Sequence, residues 1–311
     1  MEAAPLFEDV ADGPPGGRAV WLRTSDGVRI RAAHWPGGDR GTVLILPGRT
    51  EYVEKYGPTA ADMVAAGYHA VSLDVRGQGL ADRPLPDRMK GHVRDFADFQ
   101  LDLAALRPLL DTLPKPLFLL GHSMGGAIGL RAVVEGWPVA AAAFSGPMWG
   151  IRFSPGLGPM ATGLAAVAST LGGGTAYAPS TGPQTYLLTA PFKDNTLTSD
   201  EATWNWMRRQ LMARPELALG GPTLTWLHVG MAEIRWLHRQ PAPRVPTLVL
   251  LGSHERIVNT DMVRQRMAGW REGRLVILPG AEHETLMEGP HLRGLAIGEI
   301  LAHFAGAVQS A

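Results

Sequence analysis

The chain contains no cysteine, which excludes a disulfide framework, a thiol nucleophile and thiolate metal sites. It carries no excess of either charge, since Lys plus Arg and Asp plus Glu each total 29. Bulk electrostatics therefore call for neither nucleic acid nor an anionic membrane as a partner. Long apolar runs are also missing, and none approaches the ~20 residues that cross a bilayer. The opening MEAAPLFEDVADGPPGG is acidic and lacks a basic stretch leading into an apolar core, so it does not read as a secretory leader. A cytoplasmic protein is the expectation. Its 311 residues suffice for one large α/β domain with an insertion, or for two smaller domains.

Residues 1–17 read as a loose arm ending in the breaker cluster Gly13-Pro14-Pro15-Gly16-Gly17. Ala19–Arg23 and Val28–Trp35 flank Ser25-Asp26-Gly27, a hairpin signal. The runs Thr42–Leu46, His69–Val75, Leu117–Leu120, Ala140–Phe144, Pro246–Leu251 and Arg274–Leu278 then read as strands. Between them, helical patterns fall at 58–66, 93–112, 260–270 and 289–305, the first closed by Gly67 in the C′ position. Near-continuous apolar strands alternating with helices predict a mostly parallel sheet covered on both faces. Ligands bind such sheets beyond the carboxyl ends of the strands, so the loops after 46, 75, 120, 145, 251 and 278 should converge on one site.

The alternation stops across residues 147–243, which hold five of the nine Trp and five of the twelve Met. Thr198-Ser199-Asp200-Glu201 fits a capping box with Thr198 as N-cap of a helix through Met212. A second helix over 223–238 aligns Leu224, Leu227, Met231, Ile234 and Leu237 on one face. The segment reads as a helical cap inserted into a catalytic domain of residues 1–146 and 244–311. It is expected to roof the site, and its apolar stripe to offer a wall to acyl chains.

The chemistry concentrates in PLFLLGHSMGGAIGLR (116–131), a G-x-S-x-G elbow with a strand before it and a helix after it. Ser123 must sit on a sharp turn, where a Cβ at Gly121 or Gly125 would collide with neighbouring backbone. The same turn sets the Met124 N–H at a helix N-terminus, where an oxyanion is favoured. A serine nucleophile needs a base, itself oriented by an acid. Of ten histidines, His283 lies just beyond the last strand in PGAEHE (279–284), while His122 adjoins the nucleophile and should point away from it. Glu255 is the one carboxylate in the loop after the preceding strand, with Asp261 as a substitute further on. A second oxyanion donor falls to the loop after Leu46, at the N–H of Arg49 beside permissive Gly48.

The stretches LPGRTEYVEKY (46–56), LDVRGQGLADRP (73–84), GHSMGG (121–126), LLGSHERIV (250–258) and PGAEHE (279–284) together resemble the α/β-hydrolases of the monoacylglycerol lipase and bacterial lysophospholipase branch. The resemblance implies Ser123 as nucleophile, Glu255 as acid, His283 as base, Arg49 and Met124 as oxyanion donors, and no cofactor or metal. The chain departs from that branch in having Pro47 in place of the usual His, Glu255 in place of Asp, and Gln78 and Ala81 in the second stretch. A lipid-like monoacyl ester is the expected substrate, with transient membrane-surface contact through the cap. Two alternatives stand beside it. One is another serine hydrolase, such as a thioesterase, a C–C bond hydrolase or an aminopeptidase with Glu201, Glu216 or Glu233 anchoring an amine. The other is a non-catalytic binding protein on the same fold.

Overall fold

The computed structural model describes residues 1–153 and 156–309. Nine strands form its sheet: β1 (Glu2–Ala4), β2 (Arg18–Arg23), β3 (Arg29–Trp35), β4 (Thr42–Leu46), β5 (His69–Asp74), β6 (Leu117–His122), β7 (Ala141–Ser145), β8 (Thr247–Gly252) and β9 (Gly273–Leu278). Their order is β1-β2-β3-β5-β4-β6-β7-β8-β9. The β1–β2, β2–β3 and β3–β5 pairs are antiparallel, and every pair from β5 through β4 to β9 is parallel. The strand positions and the parallel sheet match the reading of the apolar runs. Every residue of β4, β6, β7 and β8 is buried, as a strand covered on both faces requires.

The period-two alternation of each strand divides the core into two layers. Leu44, Leu46, Leu119 and Phe144 face one side, with α3 (Phe99–Leu110) and α4 (Met124–Val134) packed on them. Val43, Ile45, Phe118 and Leu120 face the other, against α2 (Gly57–Ala65) and α10 (Pro290–Gln309). The remaining helices are α1 (Glu8–Ala11), α5 (Leu157–Thr170), α6 (Tyr186–Thr189), α7 (Glu201–Ala213), α8 (Leu224–Arg239) and α9 (Thr260–Ala268). Of these, α5 to α8 all lie between β7 and β8. Trp204, Met207 and Leu211 of α7 join the second layer. Trp226, Ile234 and Leu237 of α8 join the first. Leu224 and Leu227 of α8 pack with Ala165 of α5, and Met231 lies against them. The apolar stripe of α8 is thus taken up by packing at both ends.

Three expectations are corrected. The N-terminal arm is not loose, because Glu2–Ala4 pairs with β2 through Glu2↔Trp21 and Ala4↔Ala19. Its anchors are long-range, with Arg31 Nη1 donating to the Pro5 carbonyl at 2.9 Å and the Phe7 N–H to Glu54 at 3.1 Å. The breaker cluster serves the same docking, since a Cβ on Gly17 would lie 2.5 Å from Nε1 of Trp35. Second, the N-cap of α7 is Asp200, whose side chain accepts from Thr203 N–H at 2.7 Å. Thr198 and Ser199 are instead drawn to Glu288, at 3.2 and 2.6 Å. Third, the helical pattern at 93–112 begins later, with a single tight turn at Phe96–Asp98 capped by Asp95 before α3.

Candidate active site

The elbow is built as the glycines demand. Ser123 follows β6 and precedes α4 at φ 48°, ψ −114°, a conformation L-residues rarely adopt. Its N–H donates to Ser145 O at 3.0 Å, while its carbonyl accepts from Gly126 and Met148 N–H, both at 2.9 Å. A Cβ on Gly121 would fall 2.7 Å from the Gly125 carbonyl oxygen, and one on Gly125 only 2.1 Å from Leu46 O. Absent side chains therefore let α4 press its first turn against the end of β4, the strand whose loop carries Arg49. Among the described residues, neither the Met124 nor the Arg49 N–H is taken by another hydrogen-bond acceptor.

His283 lies in the loop after β9, with its Nδ1 2.6 Å from Glu255 Oε2. Both side chains are buried. The other carboxylate oxygen, Oε1, accepts from the N–H groups of Ile257 at 2.6 Å and Val258 at 3.0 Å. Burial works to raise the Glu255 pKa, but His283 and these two N–H groups bring it below the ordinary value. Burial likewise works to lower that of His283, and the carboxylates of Glu255, Glu284 and Glu51 carry it above the ordinary imidazole value. The pairing directs Nδ1–H to Glu255 and leaves Nε2 free to accept a proton. Gly146, at φ 48°, makes room for the ring, since its Cβ would lie 3.0 Å from His283 Nδ1. The ring of His122, next to Ser123, sits 4.9 Å from that of His283.

The alternatives for these roles sit elsewhere. Asp261 is exposed at the start of α9. Arg256 is bound to Asp194 at 2.7 Å and Glu282 at 3.1 Å rather than to Glu255. His122 turns Nδ1 to the Ser145 carbonyl at 3.0 Å, and His34 and His69 bond each other at 2.8 Å. Of the amine-anchor candidates, Glu233 is paired with Arg131 at 2.6 Å, and Glu201 and Glu216 are exposed.

A buried polar cluster behind His283 escaped the reading of the sequence. Lys55 Nζ lies 2.8 Å from Glu51 and 2.5 Å from Glu284. Glu51 also accepts from Tyr56 O–H and Gly48 N–H. Burial opposes ionisation of Glu51, yet Lys55 and His122 hold its pKa down to about 2. Burial, with help from His283 and Lys55, takes His122 down to about 4, so its imidazole is neutral near pH 7. Glu51, His122 and Glu284 are grouped closely enough to ligate a metal ion, but the Lys55 ammonium binds both carboxylates there. Gln78 braces the Arg49 loop, its Nε2 donating to Gly48 O and its Oε1 accepting from Thr50 N–H, each at 2.9 Å. The i, i+4 pair Glu51–Lys55 was a legible signal; Glu284 and His122 joined it only through the fold.

A parallel sheet with an elbow after its central strand and a Glu–His pair at the neighbouring strand ends defines an α/β-hydrolase, as the motifs implied. The chain is a hydrolase, and residues 37–290 match the family described as serine aminopeptidase, S33, to which it belongs. It is 33% identical to lysophospholipase L2 of Escherichia coli K12 over 292 residues, covering 89% of this chain and 83% of that one. To the probable lysophospholipase L2 of Haemophilus influenzae it is 29% identical, over 82% and 80% of the two chains. A solved structure of monoglyceride lipase from Saccharomyces cerevisiae superposes with a TM-score of 0.72 at 19% identity, over 92% of this chain and 94% of that one. Among the described residues, no helix is long and apolar enough to cross a membrane.

Proposed function

We propose that this carboxylic-ester hydrolase cleaves lipid-like monoacyl esters through an acyl-enzyme on Ser123. The observation that carries the reading is the buried 2.6 Å Glu255–His283 contact, because it commits the imidazole to the tautomer that a serine nucleophile needs. His283 Nε2 removes the Ser123 hydroxyl proton as Oγ attacks the ester carbonyl. The N–H groups of Met124 and Arg49 receive the oxyanion. His283 then returns the proton to the departing alcohol, and water repeats the sequence to release the acid. Glu255 stays ionised throughout and stabilises the imidazolium. Glu255 replaces the Asp usual in the branch without removing its role toward His283.

The lipid-like substrate is supported by the relatives' names and by the segment between β7 and β8, which we read as a cap over residues 147–243. Residues 153–192 contain no Asp, Glu, Lys or Arg. On α5, Met160 is 64%, Leu164 48% and Val167 55% exposed, and Leu171 just beyond it 80%. These lie along one helical face, and a lipid surface is their natural cover, in transient contact. Acyl-chain preference tests the reading. At ~0.8 kcal/mol per buried CH₂, kcat/KM should climb by up to about fourfold per methylene between p-nitrophenyl acetate and the octanoate. A profile that falls steadily from acetate upward would favour a small-ester or peptide hydrolase.

A further inference from the structure

The catalytic reading uses only the backbone of Arg49 and leaves its side chain unexplained. The guanidinium reaches under the segment that leads into α8. Its Nη1 donates to the Gly220 carbonyl at 2.9 Å, and its Cζ lies 5.8 Å from the Trp226 ring centroid. Gly91 borders it closely, a Cβ there lying 3.6 Å from Nη1. Burial lowers the Arg49 pKa to about 10, with no carboxylate acting against it. Arg31 and Arg76, by contrast, meet carboxylates, Asp74 at 2.7 Å and Asp102 at 2.8 Å. A guanidinium offers five N–H donors in a planar fork suited to phosphate. Held only by a carbonyl and an aromatic ring, and in part open to solvent, this charge has an anion as its chemical complement.

The neighbouring loop adds charge of the same sign. Arg88, Lys90 and Arg94 supply it, with His92 between the last two, and its Gly91 N–H donates to Gly221 O at 3.0 Å, next to the Arg49 acceptor. Burial is the main influence lowering the His92 pKa, and Arg94 and Lys90 add to it. The acidic groups flanking the loop are engaged, Asp87 by Tyr177 O–H at 3.1 Å and Asp95 by the Ala97 N–H at 2.9 Å.

We propose that the Arg49 side chain, with Lys90 on the adjoining loop, binds a phosphate carried on the alcohol side of the ester, making Arg49 a specificity-determining residue for phosphate-bearing monoacyl glycerol esters. The proposal rests on the ester-hydrolase reading, and a ratio separates the two. The test compares kcat/KM for a 1-acylglycerol and for the 1-acylglycerol phosphodiester of the same acyl chain, in wild type, Arg49→Met, Arg49→Lys and Lys90→Met. Wild type should favour the phosphodiester by about 10–100-fold, the usual worth of a charge-assisted contact. In Arg49→Met that preference should collapse toward unity whatever happens to the absolute rate, while Arg49→Lys keeps part of it and Lys90→Met loses a smaller part. Glycerol 3-phosphate should inhibit wild type and not Arg49→Met. A ratio near unity in wild type, or one unmoved by Arg49→Met, overturns the proposal and leaves the ester reading intact. If Arg49→Met fails to fold, an unmoved ratio in both other variants overturns it equally. Inhibition by inorganic phosphate without any preference for the phosphodiester marks a free-anion site and also refutes it. Turnover of neither ester refutes the ester reading itself.

Discussion

Replacing Glu255 with Gln should lower kcat by about 10³–10⁴ while changing the shape of the site very little. The magnitude follows from which atoms are already committed. Oε1 accepts from Ile257 and Val258 N–H at 2.6 and 3.0 Å. In the variant those two donors hold the amide oxygen where Oε1 was, so the NH₂ group must face His283 Nδ1, 2.6 Å away in the wild type. A donor there forces Nδ1 to accept and places the ring proton on Nε2, the atom that should receive the serine proton. The enzyme then has the wrong tautomer as well as no carboxylate to stabilise the imidazolium, together about 4–5 kcal/mol at 1.36 kcal/mol per decade. The pH profile gives an independent sign. His283 must be neutral to act as base, and although burial pulls its pKa down, Glu255 first and then Glu284 and Glu51 hold it above 6.5. The acid limb of kcat/KM for p-nitrophenyl butyrate should therefore lie above that value in wild type and move to lower pH in Glu255→Gln. A variant within tenfold of wild type with an unmoved limb, alongside an inactive Asp261→Asn, would refute the assignment of the acid.

Ser123→Ala should retain the fold, since it keeps the Cβ on the turn, and should lose both esterase activity and labelling by a fluorophosphonate probe. Equal labelling of the variant would place the nucleophile elsewhere. Arg31→Met should cost about 3–5 kcal/mol of stability, because it leaves the buried Glu54 and Asp74 side chains without the cation that pairs with both. The readout is the denaturant midpoint, and Arg31→Met combined with Glu54→Gln should recover part of the loss.

The parallel sheet was legible because its strands are buried on both faces and so read as unbroken apolar runs. Ser123, Glu255 and His283 were legible because each sits at a strand end, where a loop must deliver its residue to one rim. What escaped notice depends on approach in space. Three residues are too short a stretch to announce β1, which exists because Arg31 and Glu54 hold the chain that follows it. Thr198 has the sequence of an N-cap, but Glu288, some ninety positions away, claims its hydroxyl. Gln78 stood out only as a departure from a pattern, whereas its amide spans the two sides of the loop that carries Arg49.

The helices inserted between β7 and β8 straddle the sheet, with α7 in one core layer and α8 in the other. The earliest part of the chain adds a further tie, through Gln210 Nε2 to Val10 O at 2.6 Å, Trp206 Nε1 to Asp12 at 2.7 Å and Arg214 to Asp9 at 2.8 Å. A saddle gripped in this way cannot swing as a rigid door. It should melt with the sheet in one cooperative transition, and slow amide exchange should extend from β4 and β6 into α7 and α8 alike. Breathing motion falls to α5, whose apolar outer face leaves it anchored mainly along α8. Movement within the insertion is then a matter of one helix shifting, while α7 and α8 stay fixed to the sheet.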